Sequence, residues 1–427
     1  MLGLILFGGM MVFMLSGVPV VFAIGLSAVL GILVIGAAAP WIIIPSSMIN
    51  GMDSFPLLAI PFFILAGELM NRGGIAERLI GFANSLVGHI RGGLGHATVL
   101  SNTMLAMDTG SALAQVAAIG RIMVPAMEKR GYGREYATAL TCAASLIGPI
   151  IPPSITMVIY AVAAGASIGG LFLAGVVPGI LIATSLMGYV YIRARVRGEM
   201  PAHKFSFREV LARGKDAILA LLMPFIILGG IFAGVMTPTE SAAVAVLYAL
   251  FAGALVFRKL TFKDVYESLL NTGIVTAFIM LIVGAARIFS DLLASEAVPQ
   301  QIVAAMANLT TDPYVLLLLV NILLLIVGAL MDTTAAIIIL TPVLLPIVTT
   351  AGVDPMLFGI IMCINLVIGM ATPPVGVALY LASEIGRVKL DRLIVAIWPM
   401  LLVLVGVLMV ITYVPAIPLA LPRYFGY

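Results

Sequence analysis

Two carboxylates, Asp108 and Asp332, stand in otherwise apolar stretches, each within a Met-Asp-Thr tripeptide. Each is followed further on by two adjacent prolines, Pro152-Pro153 and Pro373-Pro374. A carboxylate at mid-membrane depth costs at least about 2.5 kcal/mol and is functional by default. Adjacent prolines inside an apolar run break a helix, because neither has an N–H and each ring clashes with the turn before it. Carbonyls freed at a break are tolerated at membrane depth only where they are buried in protein or line a cavity. Set beside Thr or Asp oxygens, they form a hard-oxygen cage suited to Na⁺. The stretches Gly148-Pro149-Ile150-Ile151-Pro152-Pro153-Ser154 and Gly369-Met370-Ala371-Thr372-Pro373-Pro374 offer such carbonyls. Thr109 and Ser111 beside Asp108, and Thr333 and Thr334 beside Asp332, offer hydroxyls. Helix N-termini at the same places would aim partial positive charge at the centre, a seat for an anionic group.

The elements that must position these groups occur twice. Pro125, Gly131, Cys142, Gly148 and Pro152-Pro153 recur as Pro346, Gly352, Cys363, Gly369 and Pro373-Pro374, gap-free at a shift of 221 positions. The Met-Asp-Thr tripeptides are shifted by 224, which implies a three-residue insertion between them and the rest. Broken helices in corresponding positions of two halves point to a substrate or ion site between internal repeats, the arrangement of a transporter.

Apolar residues make up 62% of the 427 and charged residues 10%, which fits a polytopic all-α membrane protein. About 20 residues span a bilayer. On that basis the sequence predicts ten spans: 2–16, 18–39, 56–71, 135–160, 167–192, 217–236, 239–257, 272–293, 355–382 and 392–414, of which 135–160 and 355–382 are broken. Residues 92–128 and 314–350 have two short arms meeting at a polar tip, as in a re-entrant hairpin. Segments 75–90 and 261–270 read as helices lying along the interface. The implied division is 1–91 framework, 92–165 first repeat, 166–313 framework with the basic loop 193–215, 314–383 second repeat and 384–427 final span and tail.

Charge placement tests this map. With loop 193–215 in the cytoplasm, 19 of the 22 Lys and Arg fall inside, and only Arg121, Arg287 and Arg423 do not. Loop 294–313, with Glu296 and Asp312 but no basic residue, falls outside, as do both termini. The hairpins then enter from opposite faces, as inverted repeats require.

Each residue also has a plainer reading. The prolines and glycines are commonplace kinks in membrane helices, although duplication at fixed spacing argues against that here. Either Asp could cap the second arm of its hairpin. Arg287 could hold an anionic substrate or pair with Asp291 one turn on. Glu68 and Glu240, near span ends, suit interfacial roles, and His89 and His96 flank the first hairpin's entry, where a proton relay is the less favoured reading. Ser101-Asn102-Thr103 reads as helix packing, as do the two equivalent cysteines. No phosphate loop of the form G-x-x-x-x-G-K-[ST] is present, and no Ser–His or paired-Asp arrangement suggests a hydrolase.

The segments FPLLAIPFFILAGELMNRGG (55–74), GSALAQVAAIGRIMVPAMEKRGY (110–132), IGPIIPPSITMVIYA (147–161), GIFAGVMTPTESAAVA (230–245), LMDTTAAIIILTPVLLPI (330–347) and NLVIGMATPPVGVALYLAS (365–383) resemble the large membrane subunit of TRAP transporters, tripartite ATP-independent periplasmic importers of organic acids. The resemblance covers nearly the whole chain. It implies Na⁺-driven uptake with no other cofactor, an elevator built from the hairpins and broken helices, a bacterial inner-membrane location, a small four-helix membrane subunit and a soluble periplasmic substrate-binding protein. It also implies two cation sites, one from Thr109, Gly110, Gly148, Ile151 and Pro153, the other from Asp332, Thr333, Thr334, Gly369, Thr372 and Pro374, mostly through backbone carbonyls. Asp108, Ser111, Ser154 and Arg287 are the expected substrate contacts. The family's first tip is usually Gly-rich where this chain has Asp108-Thr109-Gly110. The competing readings are a stand-alone divalent-anion/Na⁺ symporter of related fold, and a channel.

Overall fold

A computed structural model describes residues 2–35, 41, 43–199, 204–298, 300–301 and 312–427. Every regular element among them is helical. The framework begins with α1 (Leu2–Leu15), α2 (Val20–Ile35), α3 (Ile43–Met52) and α4 (Ala59–Arg72), the last entered through a single tight turn at Phe55–Leu58. Then come α5 (Ile75–Val87), the hairpin α6 (Gly93–Thr109) and α7 (Ala112–Lys129), and the broken helix α8 (Arg134–Ser145) and α9 (Ile155–Ala164). Four longer helices follow: α10 (Ile168–Val196), α11 (Phe207–Phe232), α12 (Pro238–Leu250) and α13 (Phe262–Ser295). The second hairpin is α14 (Pro313–Leu330) and α15 (Thr333–Thr350), the second broken helix α16 (Pro355–Gly369) and α17 (Val377–Gly386), and the chain closes with α18 (Leu390–Tyr413) and α19 (Ala416–Tyr424).

Eight helical stretches among the described residues are long and apolar enough to cross a membrane. Two of these are the arms α14 and α15; the remaining six, with α1, α2 and the two broken helices, account for the ten expected crossings. The end of the second span, residues 200–203 of the basic loop and most of loop 294–313 lie outside the described residues.

Two local expectations are corrected. The arm at 261–270 and the span at 272–293 are one continuous helix, α13, started by a capping box in which Thr261 and Asp264 satisfy each other's backbone N–H groups. No proline or turn interrupts it at 271, so the amphipathic segment simply propagates into the apolar one. The stretch before Asp53, to which the sequence assigned neither a span nor an interfacial helix, forms α3, which packs on α13.

The hairpins cross over. α7 packs against α8 and α17, whereas α15 packs against α16 and α9, so each second arm joins its own repeat to the far half of the other. α10 and α18 lie against both broken helices, while α4, α12 and α13 pack together with α2 and α3, α13 also touching α15 and α4 also touching α6. At the edge of that group Arg72 gathers Glu267 at 2.6 Å, Asp264 at 3.6 Å and Glu68 at 3.7 Å, and Lys259 pairs with Glu77 at 3.0 Å. Another polar corner anchors the first repeat. The Arg193 guanidinium sits 3.3 Å above the Tyr136 ring and 2.6 Å from Glu199, and Tyr132 stacks on Tyr136. Burial, then the Glu199 charge, push the Tyr132 phenol up to about 12, so it stays neutral at any cellular pH. Both corners fall on the side that basic charge assigns to the cytoplasm.

Candidate functional site at the paired breaks

The first hairpin turns at Gly110, whose φ of +57° closes α6 in a conformation that glycine adopts without cost. Ser111 caps α7, accepting the Ala114 N–H at 3.4 Å. The tip lies on the first break: a Cβ on Gly110 would sit 2.7 Å from the Pro153 carbonyl oxygen. The break itself is tied together by hydroxyls. Ser154 Oγ and Thr156 Oγ1 both donate to the Pro149 carbonyl, and Ser154 also caps α9 through the Met157 N–H. The Pro152-Pro153 peptide bond is cis, and Ile147 through Ser154 are all buried.

Gln115 joins tip to break. It is fully buried, its amide is 3.4 Å from Thr109 Oγ1, and a Cβ on Gly148 would meet it at 2.8 Å. With its amide nitrogen turned the other way, it donates to Asn102 Oδ1 at 3.1 Å and to the Ser145 carbonyl at 3.3 Å. Thr109, Gly110, Gly148 and Pro153 therefore converge. Ile151 differs: its side chain fills the hollow above Gly179 of α10.

The second hairpin turns through extended backbone at Met331, and Asp332 caps α15 by accepting the Thr334 N–H at 2.9 Å. Gly328 and Gly369 meet backbone to backbone; a Cβ on Gly328 would lie 3.0 Å from Leu366, and one on Gly369 would collide with Gly328. The Ala329 carbonyl accepts from Val375 and Gly376 at 3.2 and 3.4 Å, which pins the second break to the end of α14. Thr372 Oγ1 donates to Ile368 O at 2.9 Å. The Pro373-Pro374 bond is also cis, but Thr372 and Pro373 are half-buried and Pro374 is exposed. Thr333 Oγ1 is buried with no hydrogen-bond partner.

The two aspartates occupy different places. The shift of 221 carries Ala112–Lys129 onto Thr333–Thr350, so the mate of Asp332 is Ser111, the other cap, and not Asp108. The inferred three-residue insertion is corrected accordingly: the second arms match without a gap up to the tips. Asp108 lies in the last turn of α6 and caps nothing; it is 3% exposed and neither carboxylate oxygen has a partner. Gly67 of α4 lets the framework approach here, since a Cβ would be 3.1 Å from the Asp108 carbonyl oxygen.

Arg287 pairs with Asp291 at 3.0 Å and lines a cavity of about 260 Å³ between framework and repeats. That cavity includes no residue of either tip. The walls are Val283 and Ala286 of α13, Ile159, Val162 and Ala163 of α9, and Ile338 with Pro342 of α15. Glu68 lies 3.7 Å from Arg72, and Glu240 caps α12 through Thr237. His89 rests edge-on against Phe205, and no hydrogen bond joins it to His96 among the described residues. Sequence reading passed over Gln115 and the buried pair in which Asn365 donates to Asn321 Oδ1 at 2.7 Å while Asn321 reaches Thr412. The signal was present: amides in apolar helices must find partners.

Residues 7–417 match the family described as tripartite ATP-independent periplasmic transporter, DctM component. The chain is 40% identical over 413 residues to the sialic acid TRAP transporter large permease protein SiaM of Vibrio cholerae, covering 96% of each. It is 39% identical over 440 residues to the C4-dicarboxylate TRAP transporter large permease protein DctM of Rhodobacter capsulatus, covering all of both. Its fold is similar to that of the Alcanivorax borkumensis YdaH transporter, with a TM-score of 0.63 at 15% identity over 91% of this chain and 90% of that one.

Proposed function

This chain belongs to the DctM component family of tripartite ATP-independent periplasmic transporters, and from that premise we propose that it imports an organic acid anion in symport with Na⁺. It is a multi-pass membrane permease and not an enzyme. The observation that carries the proposal is the meeting of each hairpin tip with a proline-broken helix, Gly110 on Pro153 and Ala329 on Val375-Gly376. One cation would be held by carbonyls around Thr109, Gly110, Gly148, Ile151 and Pro153. The other would be held around Asp332, Thr333, Thr334, Gly369, Thr372 and Pro374, where the unpartnered Thr333 hydroxyl is a ready ligand. The capped N-termini at Ser111 and Ser154 offer hydroxyls and N–H dipoles to an anion between the sites. Asp108 would tune the field there, and Arg287 would meet substrate at the outer cavity.

The moving body would be α6–α9 with α14–α17, travelling as an elevator against the group around α13. Its partners would be a small four-helix membrane subunit and a periplasmic substrate-binding protein, in a bacterial inner membrane with both chain termini periplasmic. Relatives named for sialic acid and C4-dicarboxylate transport support a carboxylate cargo. Uptake into proteoliposomes holding the large and small subunits, with binding protein outside, should require an inward Na⁺ gradient. Unchanged uptake in Na⁺-free buffer would reject the coupling ion, and robust uptake without the binding protein would favour a stand-alone symporter.

A further inference from the structure

The repeat-side wall of the outer cavity has equivalent positions in the other half of each repeat. That wall is formed by Ile159, Val162 and Ala163 of α9 and Ile338 and Pro342 of α15. The shift of 221 carries these onto Tyr380, Ser383 and Glu384 of α17 and Ala117 and Arg121 of α7. Since α7 packs against α17 as α15 packs against α9, these positions lie on two adjacent helices, on the side that the basic charge assigns to the cytoplasm. The outer wall is apolar and covered by α13. The inner wall is uncovered: Tyr380 is 51% exposed, and Arg121 and Glu384 are exposed as well.

Arg121 makes no hydrogen bond or ion pair among the described residues. It lies eight residues before the end of α7, about 12 Å of helical rise inside the hairpin. A lone charge placed in hydrocarbon at such depth costs about 2.5–3.5 kcal/mol, so the exposed guanidinium faces water. We propose that the α7–α17 wall lines a water-filled passage to the cytoplasm, and that Arg121 is the group on it that receives the carboxylate of the departing substrate. A guanidinium suits that role because it takes a carboxylate through two parallel hydrogen bonds. Glu384 on the same wall repels an anion and leaves Arg121 as the place where it lodges. The carboxylate part of the proposal rests on the reading of this protein as an organic-anion importer; the passage does not.

The test labels a thiol placed one turn before Arg121 by Ala117→Cys, with Ala114→Cys as a second reporter nearer the tip. The native Cys142 and Cys363 are both buried, so labelling reports the introduced thiol. Inside-out vesicles carrying the whole complex are treated with membrane-impermeant methanethiosulfonates of either charge. Both reagents should react from the cytoplasmic side and much more slowly from outside. The ratio of anionic to cationic rates should fall about threefold with Arg121→Gln and recover with Arg121→Lys. Inaccessibility of both reporters from the cytoplasmic side overturns the passage; a ratio indifferent to Arg121→Gln overturns the role of Arg121. Neither result depends on Na⁺-driven uptake, so failure of the functional reading is seen separately in the proteoliposome assay.

Discussion

The two hairpin tips share a tripeptide and a fold but divide their oxygens differently. In the second, the Asp332 carboxylate is spent partly on capping α15, and the buried Thr333 hydroxyl is left without a partner. In the first, the modest hydroxyl of Ser111 does the capping, and the carboxylate of Asp108 is buried one turn earlier with nothing to bind. The breaks differ in the same direction: the first is enclosed and cross-tied through Pro149 and Gln115, the second is open at Pro374. The repeats thus give the same order of helices twice, while the local turns, side chains and surroundings make one half closed and the other accessible.

The comparison breaks most readily at the glycine contact of the second half. Gly369→Val sets side-chain carbons against the Gly328 backbone, which cannot retreat. Uptake should vanish and thermal stability should fall by several kcal/mol, read as loss of the monodisperse complex; a stable, active variant would mean that the two helices separate freely. Next in size is Asp332→Ala, which should abolish Na⁺-dependent uptake with expression retained. Asp332→Ser keeps a cap, as Ser111 does, and should recover the roughly 1 kcal/mol of helix stability without recovering Na⁺ affinity. Equal Na⁺ dependence in the alanine variant would remove this carboxylate from the cage.

Thr333→Val sharpens the contrast. It should raise the Na⁺ concentration for half-maximal uptake about tenfold, the scale of one lost ligand worth about 1.4 kcal/mol, while leaving the melting temperature in Na⁺-free buffer unchanged or higher, because an unsatisfied buried hydroxyl is removed. A smaller effect, on stability alone, is expected at Asp108→Asn. Replacing an unpartnered buried carboxylate by a neutral amide should raise the melting temperature in Na⁺-free buffer by a few degrees; a fall would show that Asp108 has a partner there. The smallest effect belongs to the exposed pair of the framework. Lys259→Ala, losing the 3.0 Å contact to Glu77, should cost under about 1 kcal/mol in denaturation and leave uptake intact.

Read from sequence alone, the prolines placed both breaks correctly and the polar tetrads placed both tips, because proline's missing N–H and the cost of polar groups in hydrocarbon act within a few residues. Matching the two Met-Asp-Thr tripeptides misled, since a shared tripeptide lies in the last turn of α6 in one copy and across the tip in the other. Helix caps are set by where the chain turns, which depends on Gly110 in the first copy and on extended backbone at Met331 in the second.

Composition, the charge map and the gap-free repeat were enough to determine a helical membrane protein with two inverted, broken halves; these follow from solvent preference and local backbone chemistry, which a chain carries along its length. The partner found by each oxygen, the crossing of α7 onto α17 and of α15 onto α9, and the covering of one wall but not its mate were decided only by the packed structure. The helix crossings join residues some two hundred positions apart, and no local property of either one encodes the distance between them.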